Sequence, residues 1–113
     1  MSFLVKMREY LAGDSFYINT YTNKDCDESN RLTHTKVPLD KCWWDTSGGY
    51  NYHTYKYAAD EHKISDEWWE QVVGACVGAS EEVDHYEVGK CYPGDDNFST
   101  KYVLESSFNK FLL

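Results

Sequence analysis

The sequence has no long hydrophobic run. No stretch of this 113-residue chain approaches the roughly 18 consecutive apolar residues that a membrane-spanning helix needs. The first eleven residues contain a short apolar patch, but Lys6, Arg8 and Glu9 interrupt it, so the segment does not resemble a secretory signal peptide. We therefore predict either an intracellular protein or a secreted one whose signal has been removed.

Clusters of lysine and arginine are also missing. The chain has 11 basic and 19 acidic residues, which give a formal net charge of −8. Because an acidic chain repels phosphate groups, neither nucleic acid nor an anionic membrane surface is expected as a partner. A basic protein, a sugar or a cation fits this charge, and the charge by itself also keeps a small domain soluble.

The common catalytic motifs are absent. The sequence contains no His-Glu-x-x-His, no Gly-x-Ser-x-Gly and no phosphate-binding glycine loop. Acids stand beside histidines at Asp84-His85 and in Asp60-Glu61-His62, but neighbours in a strand point to opposite faces and do not form a dyad. A glycosidase-like pair of carboxylates would leave no local signature. We predict that the chain is not an enzyme.

The four cysteines are Cys26, Cys42, Cys76 and Cys91. None belongs to a Cys-x-x-Cys pair, so neither a zinc site nor a thioredoxin-type motif is expected. Four cysteines allow three complete pairings. Disulfides would indicate a secreted or cell-surface protein, whereas buried free thiols would indicate a cytoplasmic one.

The cysteine spacing predicts an internal duplication. The two pairs are spaced by 16 and 15 residues, and similar segments follow them within residues 15–57 and 65–105. Each repeat carries a Lys-Cys-aromatic triplet, Lys41-Cys42-Trp43 and Lys90-Cys91-Tyr92, followed by a turn-rich segment. Within this scheme the expected disulfides are Cys26–Cys42 and Cys76–Cys91. Chance similarity in a chain with 10 tyrosines is the alternative.

Most of the chain shows strand signals. Residues 15–22, 32–37, 50–55, 83–88 and 101–104 are rich in aromatic and β-branched side chains or alternate in polarity. The prediction is one all-β domain, in which two Greek-key-like repeats form a β-sandwich. Short helices are predicted near residues 3–11 and 66–76. In the second, Trp68, Val72 and Cys76 follow helical spacing, although a strand fits equally well. A helix there would make the fold α+β.

One loop is a candidate calcium site. After Pro93-Gly94, the residues Asp95, Asp96, Asn97 and Ser99 place four oxygen-bearing side chains within five positions. Calcium prefers such ligands. A plain polar turn has the same composition.

The same loop resembles the calcium loop of the βγ-crystallin family. In that family two Asp or Asn residues and two free positions precede Ser or Thr and then Ser, and Thr100 replaces the final Ser here. Cys76-Val77-Gly78 resembles the aromatic-x-Gly corner of the family with Cys for the aromatic residue. Glu28 and Gln71 depart from the family pattern, which has Gly and an aromatic residue there. The resemblance implies paired Greek keys with a calcium-binding or purely structural role.

Two tryptophan pairs suggest a binding surface. Because strand neighbours face opposite sides, one Trp of each pair can pack in the core while the other contacts a sugar ring or a protein. The candidate ligand-binding residues are Trp43, Trp44, Tyr50, Tyr52, Trp68 and Trp69. We predict a non-enzymatic binding module for a glycan, a protein surface or calcium. The alternatives are a small acidic inhibitor or immunity-type protein that masks a basic enzyme surface, and a structural protein without a ligand site.

Overall fold

A computed structural model of the protein describes residues 14–45, 51–70 and 74–105. It contains eight strands and one short 3-10 turn at residues 28–30. The strands are β1 (Ser15–Tyr21), β2 (Arg31–Pro38), β3 (Cys42–Asp45), β4 (Asn51–Ala58), β5 (Lys63–Glu70), β6 (Glu82–Glu87), β7 (Cys91–Pro93) and β8 (Ser99–Leu104). No α-helix occurs within the described residues, so the all-β prediction is confirmed.

The strands form two four-stranded antiparallel sheets. Sheet A has the order β2-β1-β8-β7, and sheet B has the order β3-β4-β5-β6. The chain passes from sheet A to sheet B between β2 and β3, and it returns between β6 and β7. The two sheets pack face to face as a sandwich, as predicted.

The core lies between the sheets and is small. Phe16 and Val37 of sheet A meet Tyr55 and Ile64 of sheet B, with Leu39 at the corner between the sheets. The ring of Phe16 meets that of Tyr55 edge-on, with centroids 5.1 Å apart. Aromatic rings therefore supply much of the contact area, as the composition suggested.

For the segment 66–76, where helix and strand fitted the sequence equally well, the helix is wrong at residues 66–70, and residues 71–73 lie outside the described residues. Residues 66–70 belong to β5, which pairs with β4 on one side and β6 on the other. Ile64 faces the core with no exposed surface, and Asp66 shares its face. Trp69 is buried on the opposite face, so the two-residue period of a strand prevails over helical spacing. The helix predicted at residues 3–11 lies outside the described residues.

The structure has two disulfides, but they are not the predicted pairs. Cys26 bonds to Cys91 and Cys42 bonds to Cys76, with Cα atoms 5.7 and 5.9 Å apart. The predicted pairs would join opposite sheets, because the chain changes sheets between Cys26 and Cys42 and again between Cys76 and Cys91. Packed sheets stand about 10 Å apart, which exceeds the Cα separation that a disulfide spans. The two disulfides are consistent with an extracellular protein.

The two halves of the chain have matching contacts. If each of the strands β1 to β4 is exchanged with its counterpart among β5 to β8, the order of sheet A becomes β6-β5-β4-β3, which is the order of sheet B read from its other edge. The same exchange places the disulfide Cys26–Cys91 where Cys42–Cys76 lies. Two backbone hydrogen bonds of the first half also have counterparts in the second. The bond from Leu39 N–H to Asp14 O (2.9 Å) corresponds to that from Val88 N–H to His62 O (3.1 Å). The bond from Asp40 N–H to Tyr55 O (2.8 Å) corresponds to that from Gly89 N–H to Tyr102 O (2.8 Å). These matches support the internal duplication, which remains a prediction.

Within the described ranges no helix is long and apolar enough to cross a membrane.

Candidate ligand-binding cleft

A cleft of about 270 Å³ opens between the two sheets, where the β2 edge of sheet A meets the β3 edge of sheet B. Its walls are Ile18, Thr20, Thr33 and Thr35 from sheet A and Trp43 and Asp45 from sheet B. The strand alternation explains this set, since these residues share the inward faces of their strands.

The two corresponding corners between the sheets carry different side chains. At the corner between β6 and β7, Tyr86 stacks on Tyr102 with ring centroids 4.3 Å apart and meets the edge of Tyr92 at 5.5 Å. In the other half of the chain, the residue that corresponds to Tyr86 is Val37 on β2. Val37 pairs with Phe16 of β1 just as Tyr86 pairs with Ile64 of β5. Val37 is fully buried in the core, so the two corresponding corners differ in the size of the side chain at this position.

The cleft combines one aromatic wall with hydroxyl groups. The hydroxyls of Thr20 and Thr33, opposite each other on β1 and β2, form a hydrogen bond. Thr33 and Thr35 are exposed although they face inward, because sheet B does not cover this end of β2. Trp43 is half-buried, and its ring lies 6.2 Å from that of Tyr55.

A histidine and two carboxylates lie behind Trp43. His53 Nδ1 is 2.7 Å from Asp66 Oδ1, and His53 Nε2 is 4.0 Å from Asp45 Oδ2. Because a carboxylate only accepts hydrogen bonds, His53 Nδ1 carries a proton and is the donor to Asp66. The side chains of His53, Asp66 and Asp45 are 13, 11 and 19% exposed. The pair therefore fixes the orientation of His53 beneath the acidic end of the cleft.

Burial keeps three tyrosines between the sheets protonated at neutral pH. Desolvation raises the pKa of Tyr55 well above its usual value, and the nearby carboxylates of Asp66 and Asp45 raise it further. The pKa of Tyr102 is raised by burial in the same way, and that of Tyr86 is raised by burial and by Asp84. These rings are neutral packing elements at neutral pH.

The predicted ligand-binding tryptophans and tyrosines do not form one surface. Trp43 lines the cleft, whereas Trp44 lies on the outer face with its ring 4.6 Å from that of Tyr52. Trp69 is buried on the outer face, and its Nε1–H donates to Gly78 O at 3.1 Å. Trp68 is half-buried on the inner face opposite His53, and Tyr50 lies outside the described residues.

The candidate calcium residues lie in the tight turn between β7 and β8. Asp96 and Asn97 both have positive φ, and Phe98 N–H donates to Asp95 O, as in a type I′ turn. Ser99 is 2% exposed, and its Oγ accepts a hydrogen bond from Cys26 N–H at 3.2 Å. Among the described residues no group of three or more His, Cys, Asp or Glu side chains could hold a metal ion. Calcium binding remains a prediction.

The cleft is flanked by an exposed sheet edge, which the sequence reasoning missed. Every residue from Arg31 to Lys36 is exposed. In an antiparallel pair, every second residue of a strand forms backbone hydrogen bonds with its neighbour. The bond from Leu39 N–H to Asp14 O shows that Val37, Thr35 and Thr33 are the residues of β2 that bond to β1. His34 and Lys36 therefore turn their backbone N–H and C=O groups away from sheet A.

No family model, no curated protein and no solved structure matches this chain.

Proposed function

We propose that the chain is a non-enzymatic binding module whose ligand is an extended segment of another protein. The segment pairs with the outward edge of β2 as a fifth strand of sheet A, and one of its side chains enters the cleft. The observation that carries this proposal is the position of an eight-residue edge strand, exposed over its first six residues, directly beside a cleft between the sheets.

The β2 edge differs from the other sheet edges in the described part of the chain. Proteins protect such edges by making them short, charged or bulged, or by placing proline there. β3 and β7 have four and three residues, and β7 contains Pro93. β6 carries three carboxylates, at Glu82, Asp84 and Glu87. β2 has eight residues, with its bulge at the Arg31 end and a proline, Pro38, at the other end. Its centre carries a single lysine, Lys36, and is regular in its pairing with β1, so it is longer and less protected than the other edges.

The cleft provides selectivity in this arrangement. Side chains of an added strand alternate between the two faces of the sheet. Those on the inner face lie next to Thr33 and Thr35, at the mouth of the cleft. In strand addition the main-chain hydrogen bonds supply affinity, and pockets for alternate side chains supply specificity.

Replacing Lys36 with proline should weaken peptide binding at least about tenfold, because it removes one outward N–H and places a ring on the pairing edge. The same N–H makes no bond within sheet A, so the melting temperature should change little. Lys36→Ala is the matched control, since it keeps the N–H and loses the same side chain. Affinities would be measured by titration with peptides selected from a random short-peptide display library.

A glycan ligand would give a different result. A sugar ring in the cleft would respond to Trp43→Ala but not to Lys36→Pro, and Trp44→Ala on the outer face is the control for losing a half-buried indole. If a panel of neutral oligosaccharides binds in that pattern and no peptide is selected, strand addition is wrong and the cleft is a sugar site.

A further inference from the structure

We infer that the cleft accepts a cationic side chain, lysine or arginine, from the docked segment. This inference rests on the proposed function and adds the chemistry of the partner. It depends on the walls of the cleft, on its carboxylate and on the charge of the whole chain.

The apolar walls suit a long methylene stem. Ile18 of sheet A and Trp43 of sheet B both line the cleft. Lysine and arginine bury their stems along such surfaces while the charged head reaches a polar group. The face of an indole also attracts a cation, so Trp43 can contribute to both parts of the side chain. A volume of about 270 Å³ lies just below the range for drug-sized ligands, which fits one side chain.

The polar groups favour a donor with positive charge. Asp45 supplies a carboxylate in the wall, and the hydroxyls of Thr33 and Thr35 can accept hydrogen bonds from an ammonium or guanidinium group. Behind Asp45, the proton on His53 Nδ1 is directed to Asp66 and away from the cleft. Hydrogen bonds between charged groups are about twice as strong as neutral ones.

The nearby basic residues do not cancel this preference. Lys36 Nζ lies 3.3 Å from Glu105 Oε1, and Arg31 forms an ion pair with Glu28 at the same distance. The net charge of the chain is −8. This charge attracts a basic segment before contact and repels an acidic one. The sequence also suggested that the chain is a small acidic inhibitor or immunity-type protein, and the basic enzyme surface that it would mask is one partner of this kind.

The test uses a selected peptide and synthetic derivatives of it. Replacing its cleft-entering lysine with norleucine, or arginine with citrulline, removes the charge and keeps the length. The expected result is binding weaker by about 10- to 100-fold, the cost of a lost charged hydrogen bond. Asp45→Asn should reduce that difference to a few-fold. Asp60→Asn, in the exposed β4–β5 turn, is the control for the change in net charge and should leave the difference unchanged.

The outcomes separate the inference from the proposed function. If norleucine or citrulline peptides bind as tightly as the parent while Lys36→Pro still abolishes binding, the cationic inference is wrong and strand addition stands. If Asp45→Asn leaves the preference for charge intact, the cleft is not its source. If the library yields no binding peptide at all, both proposals fail.

Discussion

Replacing Cys42 and Cys76 together with serine should lower the free energy of unfolding by about 4 kcal/mol. This disulfide joins residues 34 positions apart, and the chain-entropy model assigns about 4 kcal/mol to a loop of that length. The same model gives a similar value for Cys26–Cys91, which are 65 positions apart. A small β-domain with a core of few fully buried residues has little stability in excess of such a loss. Loss of both disulfides should therefore unfold the protein at ambient temperature.

Urea denaturation followed by circular dichroism measures these changes. The serine variant is compared with the oxidised protein, and full reduction of the unmutated chain tests the combined loss. Because the two disulfides occupy matching places in the two halves, their removal should cost similar amounts. A cost below about 1 kcal/mol for either pair would show that the loops are already ordered in the unfolded chain, contrary to the entropy model.

Raising the pH above about 10 should unfold the protein cooperatively. Burial raises the pKa of Tyr55 and Tyr102 in the folded state, whereas both titrate near 10 in the unfolded chain. The unfolded state therefore loses protons that the folded state keeps, so stability is complete below the unfolded pKa and falls as the pH rises above it. Each such tyrosine removes about 1.4 kcal/mol per pH unit. Two that stay protonated remove about 5 kcal/mol by about pH 12.

Phenolate absorbance and circular dichroism should be recorded in the same alkaline titration. Tyr55 and Tyr102 should ionise only together with the loss of strand signal in circular dichroism, because burial raises their pKa in the folded state. Tyr102→Phe serves as a matched variant, because it keeps the ring and removes one proton. Its unfolding should depend less steeply on pH above about 10. If all ten tyrosines ionise near their usual pKa while the fold persists, the buried hydroxyls are solvated and the packing is wrong.

Local sequence signals were sufficient for the sandwich and for five of its eight strands, whereas β3 and β7 were not predicted and β5 was left open between helix and strand. The alternation around Tyr50 to Tyr55 and the aromatic run after Ser15 correspond to β4 and β1. The segment at Trp68-Trp69 was ambiguous because Trp68, Val72 and Cys76 follow helical spacing, while a strand fits the same short apolar run equally well. Pairing with β4 and β6 decided it, and pairing partners are distant in sequence. The cysteine pairing failed for a related reason, since short sequence separation does not show that the chain changes sheets between two cysteines.

The candidate site was only partly accessible from the sequence. Trp43 was predicted as a ligand contact and lines the cleft, but nothing local distinguished it from Trp44. Contact between His53 and Asp66 depends on the register of the β4–β5 hairpin, and neither residue has a motif around it. The exposed β2 edge depends on strand order, because a strand that is polar in sequence looks the same at the edge or in the middle of a sheet.

Hydrogen exchange of the backbone amides, with and without a selected peptide, is the most direct measurement of strand addition. The amides of His34 and Lys36 should exchange quickly in the free protein and become protected in the complex. Val83 and His85 provide the comparison, because the bond from Val88 N–H to His62 O places their N–H groups outward on the β6 edge. Protection confined to β2 is the predicted result. Unchanged exchange at His34 and Lys36 with peptide bound, or protection at the β6 edge instead, would contradict it.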